Sequence, residues 1–150
     1  MKYFYCDSCF LITFYQDGNL SLLSQYKEQF HISETQIRDE LIKPIDLADA
    51  VRKSVTVIYD RDEIKNKTDE LVMIYNNLSI YDCLCMAFAI IDGYCLVTDD
   101  KALIKKCNKN NIETKTSNDI LREFEIGGDL YGDDVKDKWI GGIYEKQTKS

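Results

Sequence analysis

Five carboxylates are placed where chain geometry could gather them. Asp7 ends the short β-prone run Tyr3 to Cys6, and the pair Asp99–Asp100 follows a second such run, Tyr94 to Thr98. Glu40 follows a third, Phe30 to Ser33, by about two helical turns, and Asp82 opens the apolar stretch Cys83 to Ile91. Each has a plain structural use: Asp7 as a turn former, Glu40 as a solvated helix residue, Asp82 as a helix-start residue stabilised by the dipole, Asp99 or Asp100 as a helix cap. Together they suggest chemistry, because open parallel sheets bind ligands outside the carboxyl ends of their strands. Clustered carboxylates repel unless a cation neutralises them, and oxygen-only ligands favour magnesium or manganese over zinc or copper. The default reaction of such a site is metal-assisted attack of water on a phosphodiester.

Composition narrows the alternatives. At 150 residues and 17.4 kDa the chain fits one domain, and 45% hydrophobic with 30% charged residues describes a globular protein. Its one histidine, His31, sits between Phe30 and Ile32 in a segment that reads as a buried strand, which removes multi-histidine metal sites and leaves a histidine-based triad poorly served. Neither glycine-rich nucleotide fingerprint occurs. The longest apolar run is far short of the ~20 residues a membrane helix needs, and Asp7 interrupts the N-terminal apolar stretch, so a cytoplasmic location without membrane association is expected. The six cysteines lie inside apolar stretches rather than in turn-rich knuckles, so all six are expected as small core residues, neither zinc ligands nor disulfides.

The elements that must position the acids follow from hydrophobic spacing and turn signals. Strands are predicted at Tyr3–Cys6, Phe30–Ser33, within Val51–Ile58 through Val55-Thr56-Val57-Ile58, at Tyr94–Thr98 and at Ile112–Lys115. Helices are predicted over Cys9–Tyr15, from Leu20 toward Phe30, over Thr35–Lys43 with Pro44 ending it, and over Glu63–Asn76, Ile80–Ile91, Lys101–Asn110 and Asn118–Phe124. Alternating strands and helices indicate a three-layer α/β/α sandwich around a mostly parallel sheet. Gly127 to Asp134 is polar and turn-rich, and Val135 to Lys146 reads as a further helix packing through Trp139, Ile140 and Ile143.

Four segments in this order resemble the PIN domain, the metal-dependent ribonuclease fold of VapC-type toxins. They are Tyr5-Cys6-Asp7-Ser8, Ile37-Arg38-Asp39-Glu40-Leu41, Leu78-Ser79-Ile80-Tyr81-Asp82 leading into Ala87-Phe88-Ala89, and Leu96-Val97-Thr98-Asp99-Asp100-Lys101-Ala102-Leu103. The resemblance covers about residues 2 to 124. It implies a PIN-like domain over 1–126 with a C-terminal extension over 127–150, serving dimerisation, partner docking or simply the core. It further implies ligation of Mg2+ or Mn2+ by Asp7, Glu40, Asp82 and Asp100, with Ser8, Thr98 and Asp99 as supporting polar groups. RNA would be the substrate, and an antitoxin protein and a homodimer are the partners it suggests. Many relatives carry a polar residue, often Asn, two positions after the first Asp, where this chain has Cys9.

The net charge of −7, from 26 acidic against 19 basic side chains, is unusual for an RNA-binding surface. Lys101, Lys105 and Lys109 recur every four residues directly after Asp100, a stripe that either guides a phosphate backbone or is a solvated helix face. Other readings compete. A haloacid dehalogenase-type enzyme would use Asp7 as nucleophile and want an acid where Cys9 stands. A receiver domain would use Asp60 and a lysine well downstream of Thr98, whereas Lys101 follows at once. A catalytically weak PIN-like protein-interaction module is the non-enzymatic alternative.

Overall fold

The structure, a computed structural model, describes residues 2–126. In chain order it runs β1 (Phe4–Cys6), α1 (Ser8–Gln16), α2 (Leu20–Ser24), a 3-10 turn (Lys27–Gln29), β2 (Phe30–Ser33), α3 (Glu34–Glu40), α4 (Leu47–Ser54), β3 (Thr56–Ile58), α5 (Asp62–Ile74), α6 (Ile80–Asp92), β4 (Cys95–Val97), α7 (Lys101–Lys109), β5 (Thr114–Lys115) and α8 (Ser117–Ile126). The strands form one parallel sheet in the order β3-β2-β1-β4-β5, with Tyr5 paired to His31 on one side and to Leu96 on the other. Every residue of β1, β2 and β4 is buried, as a parallel sheet covered on both faces requires.

Topology fixes the layers. The connections β1 to β2 to β3 step one way across the sheet, while β3 to β4 to β5 step back. Right-handed crossovers therefore put the helices of the two halves on opposite faces. Helix α1 packs on α2, α3, α4 and α8, and α5 packs on α6, which lies over β1 and β4. The expected three-layer α/β/α sandwich is thus the architecture found. Among the described residues no helix is long and apolar enough to cross a membrane.

Local chemistry sets the boundaries that matter for the acids. Ser33 caps α3 by accepting a hydrogen bond from the Gln36 N–H at 3.2 Å. Helix α6 opens with a reciprocal capping box between Ser79 and Asp82 and closes at Gly93, whose φ of 78° suits the left-handed turn there. From Cys83 to Ala89 every residue of α6 is buried, so its length and position are dictated by the core.

Four expectations need correction. Leu47 to Ser54 forms a helix, α4, that no expected element covered, and β3 begins at Thr56, one residue after the expected Val55. The helical pattern was present in Leu47, Val51 and Val55, all fully buried and four apart, but the β-branched run masked it. The helix expected from Leu20 toward Phe30 breaks after Ser24 and resumes only as the 3-10 turn. Helix α3 stops at Glu40, before Pro44 could end it. Cys9 is exposed, unlike the other five cysteines, because it lies on the outer side of α1 while Phe10, Leu11 and Phe14 take the inner one. Gly127–Asp134 and Val135–Lys146 lie outside the described residues.

Candidate metal centre

The two halves of the sheet diverge between β1 and β4: the connection after β1 leaves toward β2, and that after β4 leaves toward β5. At such a switch point the carboxyl ends of neighbouring strands frame a crevice. Asp7 follows β1 directly, and Thr98-Asp99-Asp100 follow β4. Glu40 closes α3 after β2, and Asp82 stands in the first turn of α6 above the same edge.

Asp7 occupies the N-cap of α1, where an aspartate would ordinarily accept hydrogen bonds from the first helical N–H groups. Its side chain makes no such bond. Instead Oδ2 accepts a 2.8 Å hydrogen bond from Thr98 Oγ1, and the residue is only 4% exposed. Thr98 Oγ1 also accepts from the Asp100 N–H at 3.1 Å, so one hydroxyl ties the two strand ends together. Glu40 Oε1 accepts from Ser8 Oγ at 2.8 Å and from Gln36 Nε2 at 3.0 Å. Asp82 Oδ2 accepts from the Ser79 N–H, and Asp100 Oδ1 from the N–H groups of Ala102 and Leu103. One oxygen of each acid is thereby oriented by the protein. The helix-cap roles that Asp82 and Asp100 could have filled alone are filled, alongside the cluster.

The electrostatics show that the four acids share a field. Burial pushes the Asp7 carboxyl up to about 6; the Thr98 hydrogen bond lowers it, and repulsion from Asp82 and Glu40 raises it again. Asp82 is raised by burial and by repulsion from Asp100 and Glu40. The Cys9 thiol at the rim is pushed up to about 11 by partial burial and then by Asp7, Glu40, Asp100 and Asp82. Ion pairs elsewhere on the described surface engage Lys2, Arg38, Arg52, Arg61 and Lys67, and none of them reaches these four acids.

Among the described residues no group of three or more His, Cys, Asp and Glu side chains is already positioned to hold a metal ion. The donor chemistry nevertheless suits a hard divalent cation. The four acids offer oxygen ligands, none of them is in an ion pair among the described residues, and burial followed by repulsion from Asp82 and Glu40 raises the Asp7 carboxyl to about 6.

The remaining residues singled out by sequence fall in four places. Ser8 and Thr98 lie against Glu40 and Asp7 as described. Asp99 turns away from the cluster, and its two oxygens accept from the Ser117 N–H and Oγ at 2.8 and 2.7 Å, joining the β4 end to α8. Lys101, Lys105 and Lys109 are exposed on α7, while Lys106 turns its Nζ to within 5.4 Å of the Tyr75 ring centre. His31 is buried beside Tyr3 and Tyr94, remote in role from the acids, and burial lowers its pKa.

Gln36 was missed in the sequence and supports the site most directly. Fully buried, it donates to Glu40 while its Oε1 accepts from Tyr5 Oη and lies 3.4 Å from Cys85 Sγ. Its position one helical turn before Glu40 was the available signal.

No family model and no curated protein matches this chain. Among solved structures, the fold is similar to that in the crystal structure of PAE2754 from Pyrobaculum aerophilum, with a TM-score of 0.64 and 15% identity over 81% of this chain and 94% of that one. At that identity the likeness is one of fold.

Proposed function

We propose that the protein is a Mg2+- or Mn2+-dependent endoribonuclease acting through Asp7, Glu40, Asp82 and Asp100. The observation that carries this reading is that Asp7, Glu40, Asp82 and Asp100 stand at the carboxyl edge of a parallel sheet near enough to raise one another's pKa, Asp7 to about 6, with no ion pair to any of them among the described residues. Isolated buried charge is costly, so such a cluster is explained by a bound cation better than by stability. The choice of RNA rests on the four-segment resemblance to PIN domains, which also implies an antitoxin protein as partner.

In this mechanism Asp7 is the deepest ligand, held by Thr98, and Glu40 is the best oriented, held by Ser8 and Gln36. Asp82 and Asp100 stand on the rims, fixed through their helix caps. The cation would supply Lewis acidity toward the phosphate and make water a stronger nucleophile. Lys101, Lys105 and Lys109 offer positive charge along the approach to Asp100, offsetting the acidic surface for a phosphate backbone.

The alternative, a protein-interaction module on the same fold, draws on the acids not being pre-assembled as a ligand cage. One experiment separates them: labelled single-stranded RNA incubated with Mn2+ or chelator, using wild type and Asp7→Asn. Metal-dependent cutting lost in the variant supports the nuclease. Equal traces in both proteins, together with no Mn2+ binding by calorimetry, would overturn it in favour of the module.

A further inference from the structure

Behind the acidic cluster, three side chains that are not proposed ligands meet in the core: Tyr5 of β1, Gln36 of α3 and Cys85 of α6, all fully withdrawn from solvent. Each stands close in sequence to an acid of the cluster. Tyr5 lies just before Asp7, Gln36 one turn before Glu40, and Cys85 one turn after Asp82. Contacts among the three therefore join the elements that carry three of the four acids.

The polarity of those contacts follows from the donors available. Tyr5 Oη accepts a 3.1 Å hydrogen bond from the Ser33 N–H, so its single proton is left for the acceptor it touches, Gln36 Oε1. The ring that carries this hydroxyl is held in place, stacked on Phe88 with centroids 5.1 Å apart and set edge-on to Tyr94. Cys85 Sγ donates to the same Gln36 oxygen at 3.4 Å and lies 4.0 Å from Asp7 Oδ1. An amide oxygen only accepts and an amide nitrogen only donates. With two donors on Oε1, Nε2 is the atom that meets Glu40, and it donates to Oε1 of that carboxylate at 3.0 Å. The reversed amide would set an oxygen against the carboxylate and N–H groups against two donors, which burial makes costly. Ser8 Oγ donates to the same Glu40 oxygen, so Oε2 is left for a cation.

We propose that Tyr5 and Cys85 are positioning residues of the acidic site: their donors fix the sense of the Gln36 amide, and the amide holds the Glu40 carboxylate with Oε2 free. Neither residue touches the cation or the substrate. The buried hydroxyl and thiol act through Gln36, and a neutral core network orients a charged group without cancelling its charge. The consequence for the cation rests on the nuclease reading; the position of the Glu40 carboxylate does not.

The test combines NMR and calorimetry on the full chain. In chelator, the two Gln36 side-chain N–H signals, identified by sequential assignment, should be well separated and slow to exchange with water. Tyr5→Phe keeps the stacked ring and removes the hydroxyl, and should make that pair exchange at least about tenfold faster. Mn2+ affinity should fall roughly tenfold in Tyr5→Phe and in Cys85→Ala, while Cys85→Ser, which keeps a donor, should restore most of it. The double variant Tyr5→Phe/Gln36→Met should bind Mn2+ no more weakly than Gln36→Met alone, because Tyr5 acts through the amide. Thermal unfolding separates loss of fold from loss of position, and should Gln36→Met not fold, the comparison of Cys85→Ala with Cys85→Ser decides in its place. Unchanged Gln36 signals in Tyr5→Phe would overturn the inference. So would unchanged Mn2+ affinity in either Tyr5→Phe or Cys85→Ala, losses that multiply in the double variant, or Cys85→Ser binding no more tightly than Cys85→Ala. If wild type binds no Mn2+, the nuclease reading fails and the Gln36 signals alone decide the positioning.

Discussion

Acids are handled differently at the carboxyl edge of the sheet and on the rest of the surface. Away from that edge several are paired: Glu34 with Arg52, Asp92 and Glu63 with Arg61, Glu113 with Lys2, Glu70 with Lys67. These pairs are solvated and each contributes little. At the edge, Asp7, Glu40, Asp82 and Asp100 are partly or wholly withdrawn from water, feel one another's charge, and are oriented by neutral donors such as Thr98, Ser8 and Gln36. Neutral donors fix direction without cancelling charge. The edge therefore keeps its negative field, at a cost in stability, where these surface pairs cancel theirs.

The sharpest way to break that contrast is to remove the deepest charge. Asp7→Asn should lower metal-dependent RNA cleavage at least roughly 100-fold, measured as single-turnover rate, since it deletes a proposed ligand. The same substitution should stabilise the metal-free protein. Because the folded pKa of Asp7 is raised to about 6, ionising it opposes folding: its penalty is absent at pH below about 4, grows as pH rises to about 6, and stays at up to about 3 kcal/mol above that. Urea unfolding in chelator at pH 5 and pH 8 checks this, and a variant no more stable than wild type at pH 8 would contradict the electrostatic account.

Added cation should act in the opposite sense on wild type. Mn2+ at 100 times its dissociation constant should raise stability by about 2.7 kcal/mol, and Asp7→Asn should largely abolish that gain. Thr98→Val should weaken metal affinity roughly 10- to 100-fold by releasing Asp7 from its orientation, read by calorimetry. The smallest effect belongs to the paired surface: Arg61→Ala should lower stability less than any change above, and less again at high salt, because its partners Asp92 and Glu63 are solvated.

Much of this organisation was legible in the chain. Hydrophobic runs marked β1, β2 and β4, and the apolar stretch that became α6 was plain because its burial is continuous. Helix α4 was hidden because Val51 and Val55 satisfy both a strand's preference for β-branching and a helix's four-residue spacing, and only packing against α1 and α2 decided between them. Cys9 illustrates the same ambiguity. Its neighbours predicted burial, but helical rotation turned it outward.

For the candidate site, the sequence by itself determined which acids stand at strand and helix ends, since turn signals and periodicity are local and survive without a fold. It also left carboxylates as the main candidates for any chemistry, there being one histidine and no phosphate loop. Only the tertiary structure decided that Asp7 would turn from its own helix to Thr98, ninety-one residues away, that Asp99 would turn to Ser117 instead, and that Gln36 would bridge Tyr5 and Glu40. Those choices depend on which strand lies beside which, a long-range arrangement set by the shared core, and no local pattern encodes it.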